Sequence, residues 1–438
     1  MQIDKTTYDD LSIFSHEEEF SIFHKVNFTR TRIGKDWLLE YFNKPFSELR
    51  QIKETQQILT LILKNEKDWP VSVTNGTIMV MEKYYETAID DIPFDYSYLN
   101  SLMYKLLHGP DYSIVRYSVQ HFGDFIRGMH LLLELFNREE CPGLLKSLMD
   151  RAAFLLDHET IRSLNSKKPD SRLSVAQHVF YGHFLRNRFK NYAIELINIY
   201  GRFDAWYSMA VATREHSLSL PVLLDQSQPA LKAGSLFHML LASPVSYDVA
   251  MDPRSNFIFL TGANMGGKST FIKAVGIAVF LAHLGMGVPA RDMELSLFDG
   301  ILSNINVVDN IAKGESYFFN EVQRIKNTLV KITDGRKWLV LIDELFKGTN
   351  VEDSMKCSTT VIKGLIKINS SLFILSTHLY EIGEELKQYP NISFKYFETF
   401  VKEDQLEFSY QLKDGISNDR LGYLIMKREK VVEMLEKL

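Results

Sequence analysis

Apolar residues recur every three or four positions through the first half of the chain. Phe122, Phe125, Ile126, Met129, Leu133 and Phe136 draw one stripe along a helix face. Tyr84 to Leu106 and Tyr192 to Met209 carry the same period less regularly. Glycine and proline are sparse there, as long helices require. The ordinary role of such stripes is core packing. Two breaks interrupt the pattern: 165–172 (NSKKPDSR), polar and charged with Pro169, which reads as a loop, and 218–234, which holds Pro221, Pro229 and Gly234. Beyond the second, the period changes. Phe257 to Leu260, Trp338 to Ile342 and Leu372 to Leu375 are short apolar runs separated by helical stretches, the pattern of buried parallel strands. The expected fold is mixed: an all-α domain over 1–215, then an α/β domain over 216–438.

Composition bounds this picture. The length of 438 residues suits two to four domains. Lys+Arg number 50 against 55 Asp+Glu, a net charge of -5. That balance argues against coating nucleic acid with the whole surface and leaves room for a local basic patch. Cys141 and Cys357 share no metal or disulfide spacing. The start, MQIDKTTYDDLSIF, has no basic stretch leading into an apolar one, so no secretory signal is read. The most apolar stretch, Val275 to Gly287, is too short to span a bilayer and contains His283. The expected setting is the cytoplasm.

The chemistry begins after the first strand-like run. FIFLT leads into Gly262-Ala263-Asn264-Met265-Gly266-Gly267-Lys268-Ser269, a full G-x-x-x-x-G-K-[ST] loop (Walker A), followed by Thr270 and a helical stretch. Glycines let the backbone turn its N–H groups toward phosphate oxygens, and the helix N-terminus adds positive potential. In this arrangement Lys268 supplies a point charge to the β- and γ-phosphates, and Ser269 a hydroxyl to Mg²⁺. Downstream, the run Trp338 to Ile342 ends in Asp343 and Glu344. Asp343 at a buried strand end can reach the metal or its waters; Glu344 can orient and deprotonate an attacking water. The third run ends at His378, placed to meet a γ-phosphate, although a lone histidine is more often a satisfied core or surface residue. Between loop and acids, Ser316 stands where a helix can start; by composition alone this is a capped helix.

These motifs together resemble the MutS family of DNA mismatch-repair ATPases, within the ABC-type ATPase superfamily. TGANMGGKST is similar to the family's TGPNMGGKST, with Ala263 in place of proline. Val288-Pro289-Ala290 resembles the end of the helix that follows the loop. DELFKGTNVED resembles the acidic strand end and its loop, here with Gly348, Thr349 and Asp353. STHLYEI resembles the switch-histidine segment, and GESYFFNEV the signature segment. Upstream, 23–57 resembles the start of the family's lever domain, marked by Thr29, Thr31, Gly34, Leu38, Leu39, Pro45, Ile52 and Gln56; 199–212 resembles the lever's return helix.

The resemblance implies a helical lever and core domain followed by an ABC-type ATPase domain, with ATP and Mg²⁺ as ligands. It implies that Gly262, Asn264, Met265, Gly266, Gly267, Lys268, Ser269 and Thr270 hold the nucleotide. It implies that Ser269 and Asp343 serve the metal, and that Glu344 and His378 carry catalysis. Ser316 would contact the γ-phosphate in a partner subunit's site, so a homodimer with composite sites is expected. Departures from the pattern imply a short form without the N-terminal mismatch-recognition and connector domains. The Phe-x-Glu matches at Phe46 and Phe319 fall inside other elements. Residues 165–192 hold Lys167, Lys168, Arg172, Arg186, Arg188 and Lys190, which read equally as a DNA contact or as a solvated face. Two functions therefore compete: a DNA-repair or DNA-structure-sensing ATPase, with Arg186, Arg188 and Lys190 as candidate contacts, and an ATP-switched protein scaffold that does not bind DNA directly.

Overall fold

The computed structural model describes residues 1–15, 17–167, 173–263, 265–306, 317–402, 405–417 and 431–436. The chain divides into two compact units. One comprises Met1–Val26, Lys44–Lys53 and Thr213–Leu438; the other comprises Asn27–Asn43 and Glu54–Ala212.

The first unit holds the strands β1 (Gln2–Ile3), β2 (Val222–Leu224), β3 (Leu231–Leu236), β4 (Tyr247–Met251), β5 (Phe257–Thr261), β6 (Asp292–Ser296), β7 (Gly300–Asn304), β8 (Trp338–Asp343), β9 (Leu372–Ser376), β10 (Ile392–Lys402) and β11 (Gln405–Asp414). Seven of them form one sheet in the order β1-β7-β8-β9-β5-β10-β11. Its neighbours run parallel except for the antiparallel edge pair β10–β11. A second sheet, β2-β6-β3-β4, has four strands. The three apolar runs of the sequence become β5, β8 and β9, and every residue of each is buried. They sit side by side with β9 in the middle, so their carboxyl ends open onto one edge of the sheet, where open α/β folds bind ligands. One face is filled by Phe257, Phe259, Val340, Ile342, Phe373 and Leu375 with Ile362 and Leu365 from the helix Val351–Leu365.

The expected helical domain over 1–215 is divided differently by the structure, since residues 1–26 and 44–53 join the unit that holds the sheets. Backbone pairing and a buried acid account for this. β1 pairs in parallel with β7, Gln2 opposite Gly300. Asp10 is buried and accepts hydrogen bonds from Ser303 Oγ at 2.6 Å, Ile305 N at 2.9 Å and Asn306 N at 3.0 Å. A two-residue strand is too short to leave a periodicity in the sequence.

Among the described residues the second unit holds helices and no strand. Its longest is Gly109–Glu134, on which Phe122, Phe125, Ile126 and Met129 are buried as their spacing predicts. Asp204 is fully buried and accepts from Arg30 N, from Thr31 N at 2.8 Å and from Thr31 Oγ1 at 2.6 Å. It thereby covers the N-terminus of the helix Arg32–Asn43, where a carboxylate also meets the positive end of the helix dipole. Gly34 lies on this carboxylate so closely that a Cβ would stand 2.1 Å from Asp204 Oδ2. Burial raises the Asp204 carboxyl above its ordinary range, and these hydrogen bonds offset part of the rise. Asp204→Ala strands three donors and should lower the unfolding free energy by about 2–4 kcal/mol, read as a fall in the urea midpoint.

Candidate functional site

The loop after β5 has the backbone that its glycines permit. Gly262 has φ +130°, and a Cβ there would stand 3.0 Å from the carbonyl oxygen of Phe397. Gly267, at φ +108°, is the left-handed N-cap of the helix Lys268–Ala282. Met265 is left-handed as well and 72% exposed. The ammonium of Lys268, only 5% exposed, turns back over the loop and donates to the carbonyls of Gly262 at 2.8 Å and Ala263 at 3.0 Å. Burial lowers the Lys268 ammonium below the ordinary lysine range, and the carboxylates of Glu344 and Asp343 pull it back up.

Asp343 ends β8 facing two hydroxyls. Ser269 Oγ donates to one carboxylate oxygen and Ser376 Oγ to the other. The register explains Ser376, which is the direct partner of Asp343 across the β8–β9 ladder. Glu344 follows in the left-handed conformation, φ +64°, with its N–H bonded to Ser376 O at 3.0 Å. Phe346 is left-handed too, φ +59°. Each such residue costs about 1–3 kcal/mol, so surrounding contacts must hold the turn. The carboxylate of Glu344 lies 2.5 Å from His378 Nε2 and 2.9 Å from Lys347 Nζ. Burial works to raise its pKa, but the hydrogen bonds from His378 and Lys347 outweigh it and bring the carboxyl down to about 2.

A cavity of about 490 Å³ joins these groups, lined by Ala263, Met265, Gly267, Lys268, Ser269, Thr270, Asp343 and Glu344 together with Tyr247, Val245, Leu241 and Tyr410. Tyr247 is held edge-on against Phe271 and Phe397, with ring centroids at 5.5 and 5.6 Å. The size and the mix of charged and apolar lining residues suit a small charged ligand. Among the residues expected here from the sequence, Asn264 and Ser316 lie outside the described residues, as do Lys168 and Arg172. His378 meets Glu344. The contributions of Ser376, Lys347 and Tyr410 escape a reading of motifs: Ser376 acts through strand register, and Lys347 through a turn three residues beyond Glu344.

The basic cluster is altered by the structure. Arg186 is not a free surface cation. Its guanidinium donates to the carbonyls of Tyr84 and, at 2.7 Å, Thr87, and lies over the Tyr84 ring. It thus satisfies the C-terminal carbonyls of the helix Asn75–Glu86. Arg188 and Lys190 remain exposed, Lys190 beside the Tyr85 ring.

A depressed carboxyl contributes stability above its unfolded pKa and loses it on acidification. The contribution of Glu344 is therefore full above pH 4.5 and disappears as pH falls through about 2. Glu344→Gln should lose less stability than the wild type between pH 6 and pH 3, compared by urea unfolding at each pH.

The C-terminal half of the chain resembles known proteins. Residues 258–435 match the family model for MutS domain V. The DNA mismatch repair protein MutS of Pseudothermotoga lettingae is 30% identical over 231 residues, 52% of this chain and 28% of that protein. MutS 1 of Haloarcula marismortui is 31% identical over 247 residues, 53% of this chain and 26% of its own length. The DNA mismatch repair protein MSH3 of Vanderwaltozyma polyspora is 29% identical over 248 residues, 54% of this chain and 24% of its own. The chain therefore aligns with less than a third of each of these relatives. Among the described residues no helix is long and apolar enough to cross a membrane. In its C-terminal half, this chain carries the sequence features of MutS domain V and is about 30% identical to DNA mismatch repair proteins of the MutS family.

Proposed function

We propose that the unit built on the seven-stranded sheet is an ATPase that hydrolyses ATP to ADP and phosphate inside the cell, in the service of DNA repair or DNA-structure sensing. The supporting observation is the contact between Ser269 and Asp343 beside Lys268 and Glu344, all on one cavity. A hydroxyl and a carboxylate are hard oxygen donors of the kind Mg²⁺ takes, and they already adjoin one another. Ser269 and Asp343 would hold the ion, which when bound neutralises charge on the phosphates. Lys268 and the amides of the loop from Gly262 to Thr270, Asn264 included, bind the phosphate oxygens. A Glu344 carboxyl near pKa 2 is ionised at neutral pH and is a weak base, so its main contribution is to orient the attacking water. His378, in contact with Glu344, carries the state of the γ-phosphate to that carboxylate. Ser316 acts in a partner subunit's site, so the active form is a homodimer closed by ATP. The helical unit transmits the change, with Arg188 and Lys190 as its candidate contacts to DNA phosphates.

A second reading has one observation in its favour. Arg186 is spent on helix carbonyls, which thins the cationic surface and suits an ATP-switched protein scaffold without direct DNA contact.

Lys268→Ala should abolish ATP turnover; surviving turnover would remove the site assignment. Glu344→Ala should still bind ATP but hydrolyse it about 100-fold or more slowly, and should sediment as a dimer with ATP. A monomer at saturating ATP excludes the role of Ser316 in trans. The two readings separate by titrating homoduplex, mismatched and branched DNA against salt. A linear fall of log affinity with log salt supports the first, and no binding to any of the three leaves the scaffold.

A further inference from the structure

Glu321 has no part in the machinery described so far, yet it is 4% exposed and carries a carboxylate. It lies in the helix Tyr317–Ile332. Its Oε1 accepts from the amide of Lys347 at 3.1 Å and its Oε2 from the amide of Gly348 at 3.3 Å. Two successive N–H groups on one carboxylate form a compact anion clasp. The clasped amides belong to the turn in which Glu344 and Phe346 are both left-handed. The same helix touches that turn a second time, through Phe318 against Phe346 with ring centroids 5.6 Å apart. Lys347, whose backbone is clasped, sends its side chain to Glu344 at 2.9 Å.

We propose that Glu321 is a positioning residue for hydrolysis: by fixing the amides of Lys347 and Gly348 it holds Lys347 on Glu344, and so ties the helix Tyr317–Ile332 to the water-orienting carboxylate of the same subunit. This rests on the ATPase reading above. Any displacement of that helix, including one imposed by a partner subunit near its start, reaches Glu344 through two hydrogen bonds and one ion pair.

The test uses the full chain with Glu321→Gln, which keeps the shape but replaces one acceptor by a donor. It adds Lys347→Met, the double variant, and amide exchange of the segment 344–350. Glu321→Gln should speed exchange of this segment and lower kcat, each by about tenfold, with KM for ATP within about twofold of wild type. The double variant should be no slower than the slower single variant, because both act on one path. Unchanged exchange or unchanged kcat overturns the proposal. So does a rise in KM matching the fall in kcat, or a double variant whose losses multiply. A wild-type chain without ATPase activity would remove the ATPase reading and with it the catalytic role, while the exchange comparison would still decide whether the clasp holds the turn.

Discussion

The carboxylate of Asp343 is shared between Ser269, in the first turn of the helix after the phosphate loop, and Ser376, at the end of β9. Three elements far apart in the chain meet on this one group. The acid is only 9% exposed, so leaving its oxygens without donors would incur a desolvation cost that the two hydroxyls offset. The strand order makes the arrangement possible. β9 stands between β5 and β8, so a residue at its carboxyl end is within reach of both neighbours. Moving β8 by one residue along β9 would turn Asp343 into the core and Ile342 toward the cavity. The site depends on that register.

Around this fixed point the cavity keeps its charges partnered by groups that a ligand could replace. Lys268 rests on the carbonyls of Gly262 and Ala263, which are weaker partners for an ammonium than phosphate oxygens. Glu344 has the Lys347 ammonium and a ring nitrogen of His378 within 3 Å. The low dielectric that makes Lys268 expensive to keep charged also strengthens any charge–charge contact made in its place.

Much of this was legible in the residues alone. Unbroken apolar runs gave away β5, β8 and β9, and the loop of glycines before Lys268 announced its own backbone, since few other residues tolerate the φ of Gly262 or Gly267. Asp343 was legible because an acid at the end of such a run has nowhere to point but the sheet edge. Contacts created by tertiary register were not. Ser376 is an ordinary serine until β9 lies beside β8, and Glu321 is 26 residues from Lys347 in sequence. Counting cations also misjudged Arg186, because a guanidinium beside the end of a helix can serve carbonyls as readily as phosphates. The first 26 residues fell within the expected all-α domain, yet Gln2 and Ile3 complete a sheet edge whose partner lies almost 300 positions later.

That last pairing bears on how the protein is made. The helical unit is built from two stretches, 27–43 and 54–212, set between segments of the sheet-bearing unit, so the chain leaves one fold, rejoins it over 44–53, leaves again and returns at 213. On a ribosome adding about 5–20 residues per second, Gln2 waits roughly 15–60 s for Gly300 to be synthesised. During that interval the amphipathic segment around Leu11 and Ile13 has no sheet to cover, although both side chains end up fully buried. The helical insertion is complete well before β5 emerges, so the order of synthesis favours finishing the inserted unit first. Until β7 is made, the apolar side chains of Leu11 and Ile13 lack the partners that bury them in the finished fold.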